Sequence, residues 1–169
     1  VKLFTTGSIG TEEHEDFYKQ LIEQARHLIM GESNEVANLS NVSALLKMNL
    51  QDTNWVGFYL WNEQEQQLIL GPFQGKPACI RIDYGRGVCG TAVSERQIQV
   101  VADVHAFPGH IACDPDSRSE IVIPFEKAGR LIGVLDIDSP SKGRFSEEDA
   151  KGLREVMDVL IAGTSFPLR

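Results

Sequence analysis

The sequence has few cysteines and no long apolar run. Its three cysteines include no Cys-x-x-Cys pair, and an odd number of thiols cannot form a closed set of disulfides. No apolar stretch approaches the ~18 residues that a membrane-spanning helix needs. Residues 1–10 also lack the apolar core of a signal peptide. These absences together predict a cytoplasmic protein with reduced thiols and no membrane partner.

Positive charge is scarce as well. The chain carries 16 Lys and Arg residues against 24 Asp and Glu residues, which gives a formal net charge of −8. Nucleic acids and anionic membrane surfaces are bound by clustered Lys and Arg, so this balance argues against both as partners. A cationic or zwitterionic small molecule is a more natural ligand for such a protein.

The length and the absence of repeats or low-complexity tracts indicate one domain. With 169 residues the chain can build a single core, and we assign residues 13–169 to it and residues 1–12 to a flexible N-terminal arm. Apolar residues at helical spacing predict a helix over residues 13–30 and a second from residue 36 to about residues 51–52, and we expect this pair to pack on one sheet face. The capping-box pair Ser146 and Asp149 predicts a third helix near the C-terminus.

Between these helices the sequence shows the period-2 pattern of strands. Residues 54–61 predict a central strand with the aromatic side chains of Trp55, Tyr59 and Trp61 on one face, which form either core or a pocket wall. Breaks at Gly71 and Pro72 indicate that this strand is followed by separate strands in an antiparallel meander. Helices flanking a run of strands indicate an α+β fold. The further strands are predicted at 68–71, 77–82, 99–101, 120–125 and 131–138, the last two joined as a hairpin.

The most reactive thiol is expected at Cys113. It lies in a loop rich in Pro and Gly, where a thiol is accessible, whereas Cys79 lies in a predicted strand and Cys89 beside a glycine turn. The alternative is that all three cysteines fill the core, because free Cys is among the most buried residues. Zinc is a further alternative, although no ligand pair supports it, and we expect no metal. The zinc ligands would be Cys79, Cys89, Cys113, His105 and His110.

Three carboxylates accompany this loop in the predicted hairpin. Asp136 and Asp138 are two residues apart and therefore share a sheet face, and Glu120 lies on the partner strand. Such a cluster would raise rather than lower the pKa of a nearby thiol. It can, however, bind an ammonium group, and crowding keeps one carboxyl protonated as a proton donor. The alternative is a hydrogen-bonded pair at the end of a strand.

A glycine-rich segment over residues 85–93 leads into a predicted short helix. Its spacing does not match the dinucleotide-binding fingerprint, and no βαβ unit surrounds it. It forms either a tight turn or, through backbone amides at the helix start, a site for a carboxylate.

Taken together, these segments closely resemble one family, the free methionine-(R)-sulfoxide reductases, which are single GAF domains. The resemblance implies a GAF-like fold, with a central antiparallel six-stranded sheet and N- and C-terminal helices packed around it. It extends from about residue 17 to residue 160. The matching motifs are NWVGFY at 54–59, LGPFQGK at 70–76, GRGVCGTA at 85–92, GHIACD at 109–114, SEIV at 119–122 and GVLDIDS at 133–139.

The resemblance also implies a reaction. Cys113 matches the catalytic cysteine, which attacks the sulfur of free methionine sulfoxide and becomes a sulfenic acid. Cys79 or Cys89 then closes a disulfide with Cys113, and thioredoxin reduces it, without any bound cofactor. The acidic residues and the aromatic pair are implied to bind substrate, and backbone amides over residues 110–113 are expected to bind its carboxylate. The implied substrate-binding residues are Glu120, Asp136, Asp138, Trp55 and Tyr59.

Two other functions remain compatible with a GAF domain. One is a non-catalytic sensor that binds a small ligand such as a cyclic nucleotide, although an acidic pocket would repel a phosphate. The other is a redox-sensing module in which a disulfide of Cys113 alters a surface for a partner protein. The resemblance also allows a homodimer.

Overall fold

The computed structural model describes residues 11–110 and 113–169, which form an α+β domain. Its six strands make one antiparallel sheet in the order β3-β2-β1-β6-β5-β4, as expected for a GAF domain, with β1 and β6 at the centre. The elements are α1 Thr11–Ile29, α2 Glu35–Asn49, β1 Trp55–Asn62, β2 Gln67–Gln74, β3 Arg81–Asp83, α3 Gly87–Glu95, β4 Gln99–Val101, β5 Ser119–Lys127, β6 Arg130–Ser139 and α4 Glu147–Gly163.

The helix boundaries follow the capping residues in the sequence. Asn34 caps α2 by accepting a hydrogen bond from the amide of Ala37, and Ser146 and Asp149 form the predicted capping box of α4. Helix α1 begins at Thr11, two residues inside the predicted arm, while residues 1–10 lie outside the described residues. None of the helices in the described ranges has both the length and the apolar character needed to cross a membrane.

The sheet separates two apolar clusters. Alternation along β1 sends Val56 and Phe58 into the larger cluster, where α2 and α4 pack on the sheet. Helix α1 packs mainly against α4, so the expectation that α1 and α2 both lie directly on the sheet is wrong for α1. On the opposite face of the sheet β1 carries Trp55 and Tyr59, and α3 packs on this face against β3, β4, β5 and β6. The candidate site lies on this second face of the sheet.

Two predicted strand boundaries are wrong. Strand β2 continues through Gly71 and Pro72, because these two residues form a bulge opposite Phe58. Residues in a bulge are not part of the regular hydrogen-bond ladder, so the strand tolerates the missing N–H of Pro72 there. The predicted strand 77–82 is reduced to β3, Arg81–Asp83, and Pro77 lies in the irregular segment before it. Cys79 therefore lies in an irregular segment rather than in a strand.

Candidate active site

The three acidic residues and one aromatic residue meet in adjacent positions across the sheet. Trp55 of β1 lies directly opposite Asp138 of β6, which in turn lies directly opposite Glu120 of β5. Asp136 occupies the next position on the same face, opposite Gly57. The structure thus brings together the acids that the alternation pattern placed on one face.

These side chains line a cavity of about 50 Å³ between the sheet, the first turn of α3 and two loops. One loop carries Cys79 and the other carries Cys113, and the first turn of α3 is the predicted glycine-rich segment. The lining residues are Trp55, Tyr59, Pro77, Ala78, Ile82, Arg86, Gly87, Val88, Cys89, His110, Cys113, Asp114, Ser117, Glu120, Asp136 and Asp138.

An aromatic wall closes one side of the cavity. The ring of Trp55 stacks on Tyr59 at 5.8 Å and on Phe73 at 5.2 Å between centroids. Its Nε1 atom donates to the carbonyl oxygen of Lys76 at 3.1 Å. Trp61 shares the sheet face but packs against Tyr84 and does not line the cavity. Phe73 was not singled out in the sequence, because its pairing with β1 is a long-range contact.

Gly57 makes this stacking possible. A Cβ atom at this position would lie 2.3 Å from Cβ of Phe73 and 2.8 Å from Cη2 of Trp55. Both distances are far shorter than any van der Waals contact between carbon atoms. The close approach of β1 and β2 at the cavity therefore requires glycine here.

The thiols divide into a bonded pair and a free thiol. Cys79 and Cys113 form a disulfide with their Cα atoms 5.6 Å apart. Cys89 is free and buried in the first turn of α3. The sequence alone allows either of these residues as the partner of Cys113, and the structure pairs Cys113 with Cys79.

The loop that carries Cys113 is held by a residue next to the aromatic wall. Nδ2 of Asn54 donates to Oδ2 of Asp114 and to Oγ of Ser117, both at 3.0 Å. Lys76 and Asp116 add an exposed ion pair at 2.6 Å between the two loops. Asn54 belongs to the motif NWVGFY, but nothing in the sequence indicates its partners 60 residues away. Ile111 and Ala112, to which the predicted carboxylate site extends, lie outside the described residues.

Burial dominates the electrostatics of the acidic cluster. It raises the pKa of Glu120 well above its usual range, and the charges of Asp136 and Asp138 raise it further. Burial also raises the pKa of Asp136 and that of Asp138, the latter with help from the charge of Asp136. A hydrogen bond to Asp136 additionally favours the protonated form of Glu120. The cluster thus favours the protonated form of a carboxyl group.

The thiol that contacts this cluster is Cys89. Its Sγ atom lies 3.9 Å from Oε1 of Glu120. Burial raises the pKa of the Cys89 thiol well above its usual range, and the charges of Asp136 and Glu120 add to the effect. The sequence had linked these acids to Cys113, because the contact between α3 and β5 could not be seen in it.

The two loop histidines differ in their placement. His110 is partly buried and lines the cavity, and burial lowers its pKa, so the neutral imidazole predominates near neutral pH. His105 is exposed and lies outside the cavity, with its ring 6.1 Å from that of His110. Only His110 is therefore positioned to contact a ligand.

Comparison with known proteins agrees with this site and fold. The GAF domain family matches residues 22–161. The Escherichia coli protein named free methionine-R-sulfoxide reductase is 54% identical over 154 residues, which covers 89% of this chain and 92% of the relative. The solved structure of Staphylococcus aureus fRMsr in complex with substrate is 49% identical, with a TM-score of 0.83, and covers 96% of this chain and 99% of that one.

The free methionine-R-sulfoxide reductase of Neisseria meningitidis, solved in complex with its substrate, is similar too. It is 42% identical with a TM-score of 0.86, and the match covers 96% of this chain and 94% of the neisserial one. Identities of this size over nearly the whole length of both partners exceed what a shared fold alone requires. The chain therefore belongs to the GAF domain family and, within it, to the free methionine-R-sulfoxide reductases.

Proposed function

We propose that this protein reduces free L-methionine-(R)-sulfoxide to methionine, with Cys113 as the nucleophile. The observation that carries the proposal is the Cys79–Cys113 disulfide at a cavity lined by three carboxylates and an aromatic wall. The E. coli relative is named for this activity, and the neisserial relative was solved with its substrate. The thiol, the carboxylates and the aromatic wall would contact the sulfoxide, the ammonium group and the methyl-thio end of the substrate, respectively.

The first step is attack of the Cys113 sulfur on the sulfoxide sulfur. The sulfur–oxygen bond of the substrate breaks, and the oxygen leaves on Cys113 as a sulfenic acid while methionine is released. The thiol is oxidised and the sulfoxide is reduced by two electrons. The sulfoxide oxygen must gain a proton as its bond weakens, and the protonated carboxyl of Glu120 supplies it.

The cavity accounts for recognition of the rest of the substrate. Asp138 is half-buried at the cavity beside Trp55, where its carboxylate binds the ammonium group. The rings of Trp55 and Tyr59 pack against the methyl-thio end of the side chain. The substrate carboxylate is bound by backbone amides of the loop 110–113. A peptide-bound methionine sulfoxide has neither the free ammonium nor the free carboxylate, so we expect it to be a poor substrate.

The disulfide is the product of the second step. The thiol of Cys79 attacks the sulfur of the sulfenic acid, which closes the disulfide and releases water. A dithiol reductant, thioredoxin in the cytoplasm, then reduces the disulfide by thiol–disulfide exchange and is itself oxidised. Cys79 is the resolving thiol because it pairs with Cys113, whereas Cys89 is buried against Glu120.

The test is consumption of each epimer of free methionine sulfoxide with dithiothreitol or thioredoxin as reductant. We expect turnover of the (R) epimer only, complete loss in Cys113→Ser, and wild-type activity in Val100→Ser, a matched change at an exposed position of β4. Full activity of Cys113→Ser would refute the proposal. Equilibrium binding of cyclic nucleotides by a protein without reductase activity would favour a sensor instead.

A further inference from the structure

Cys89 has no role in the proposed reaction, yet it lines the cavity. Its Sγ atom contacts Oε1 of Glu120 at 3.9 Å. One ligand atom from each of Cys89, Glu120 and Asp136 lies within 4.8 Å of the other two, and all three side chains are buried. A thiol and two carboxylates are thus held together away from bulk water.

One atom of this group lacks a partner. Asp136 is only 6% exposed, and its Oδ1 atom has no hydrogen-bond partner in the structure. Leaving a buried polar atom without a partner costs about 1–3 kcal/mol. Within residues 11–110 and 113–169, neither Asp136 nor Glu120 forms an ion pair with Lys, Arg or His. The cluster therefore offers a buried acceptor without a hydrogen-bond partner, and no protein cation lies against it within the described residues.

We infer that Cys89, Glu120 and Asp136 form a binding site for a thiophilic divalent cation such as Zn²⁺. Thiolate sulfur and carboxylate oxygen are both zinc ligands, and in a tetrahedral site they lie about 3.6 Å apart. The observed 3.9 Å between sulfur and oxygen needs only a small adjustment. The cavity of about 50 Å³ exceeds the about 10–15 Å³ that one water molecule needs on this measure, so a water can be the fourth ligand.

This ligand set differs from the zinc ligands considered from the sequence. Cys79 and Cys113 are bonded to each other and have no free thiolate, while His105 lies outside the cavity. Cys89 alone is common to the two sets, and its partners are the carboxylates of β5 and β6. Because Cys89 remains a free thiol when the disulfide is closed, the site exists in the oxidised protein.

Occupation of this site has a functional consequence that depends on the proposed reaction. The cation replaces the proton that Glu120 would donate and places positive charge beside the position of the substrate ammonium. We therefore expect Zn²⁺ to inhibit the reductase in competition with methionine sulfoxide. Binding itself does not depend on the reaction, so it can be measured separately.

The test uses Co²⁺ as a spectroscopic probe on the full chain with the Cys79–Cys113 disulfide closed. Cys89 is then the free thiol, and we expect one equivalent of Co²⁺ to give a thiolate-to-cobalt charge-transfer band that Zn²⁺ removes. The band should vanish in Cys89→Ser and persist in the double variant Cys79→Ser/Cys113→Ser. Absence of the band from the wild type, or its persistence in Cys89→Ser, would overturn the inference.

A second variant covers the case in which Cys89→Ser does not fold. Asp136→Asn keeps the thiol and should weaken Co²⁺ binding at least about tenfold, because loss of even an outer-shell partner of a metal ligand usually costs that much. Asp103→Asn, a half-buried acid paired with Lys142 outside the cavity, should leave it unchanged. Equal affinity in wild type and Asp136→Asn would overturn the inference. Co²⁺ binding without reductase activity would instead reject the proposed function and leave the metal site standing.

Discussion

The hydroxyl group of Tyr59 donates a hydrogen bond to the backbone carbonyl oxygen of Cys79 at 3.0 Å. This bond joins the aromatic wall on β1 to the irregular segment that carries the proposed resolving thiol. Burial and the nearby charges of Asp136 and the other acids raise the pKa of Tyr59, so the hydroxyl remains protonated and can donate. The ring of Tyr59 thus forms part of the aromatic wall, and its hydroxyl group holds the segment that carries Cys79.

Replacing Tyr59 by Phe separates these two contributions. Tyr59→Phe keeps the stacking ring, so the first turnover should be close to wild type. Loss of a part-buried hydrogen bond worth about 0.5–1.5 kcal/mol should slow disulfide closure by about two- to thirteenfold. Rapid-quench measurement of methionine release and of free thiols distinguishes the two steps. Tyr84→Phe, which removes an exposed hydroxyl, is the matched control and should change neither.

The pairing of Cys79 with Cys113 makes the two remaining cysteines unequal. In Cys79→Ser we expect one methionine per enzyme and then arrest with thioredoxin, because the sulfenic acid has no resolving partner. In Cys89→Ser thioredoxin-driven turnover should continue, because the resolving pair is intact. The measurement is the amount of methionine released per enzyme, with thioredoxin and with dithiothreitol as reductant. Arrest of Cys89→Ser with sustained turnover of Cys79→Ser would assign the resolving role to Cys89 instead.

Local patterns in the sequence predicted most of the fold. The hairpin of β5 and β6 follows from alternation and a turn at Ala128 and Gly129, and the start of α4 follows from the Ser146 capping box. The common face of Asp136 and Asp138 follows from the same alternation. These features depend on residues close together in the chain, so a single sequence contains their signals.

The parts that could not be predicted depend on contacts between distant segments. The sequence does not indicate that Cys89 meets Glu120, 31 residues away, or that Asn54 holds the loop of Cys113. The assignment of Cys79 to a strand is wrong for the same reason, because this residue is bonded to Cys113, 34 residues away. Chain packing, not residue type, decides which thiol meets which acid.

Gly57 offers a test of the aromatic wall. In Gly57→Ala the new Cβ atom would collide with Phe73 and Trp55, and overpacking of this kind costs about 1–3 kcal/mol. Displacement of the Trp55 ring should also raise KM for methionine sulfoxide more than it lowers kcat. Urea unfolding and steady-state kinetics check both effects. Gly163→Ala at the end of α4 meets only the flexible end of Ile29 and should change stability by less than about 1 kcal/mol.

The buried acids should impose a pH-dependent cost on stability. Burial and the charges of Asp136 and Asp138 raise the pKa of Glu120, so the folded protein retains a proton that the unfolded chain releases above about pH 4.3. The folded state then binds more protons than the unfolded state, and the free energy of unfolding falls as pH rises from that value through the raised pKa. Below about pH 4.3 Glu120 is protonated in both the folded and the unfolded state, so its burial no longer lowers the free energy of unfolding in this way.

Substitution of Glu120 by Gln should remove this cost while keeping a hydrogen-bond donor toward Asp136. We expect Glu120→Gln to gain at least about 1 kcal/mol over wild type near pH 8, the free energy of one pKa unit, and to match it near pH 4. Urea unfolding at the two pH values measures the difference. Glu126→Gln, an exposed acid on the same strand, should show no such pH dependence. The same Gln side chain cannot supply a proton as a carboxyl does, so the stabilised variant should lose most of its reductase activity. Gain of stability without loss of activity would show that the sulfoxide oxygen is protonated by another group.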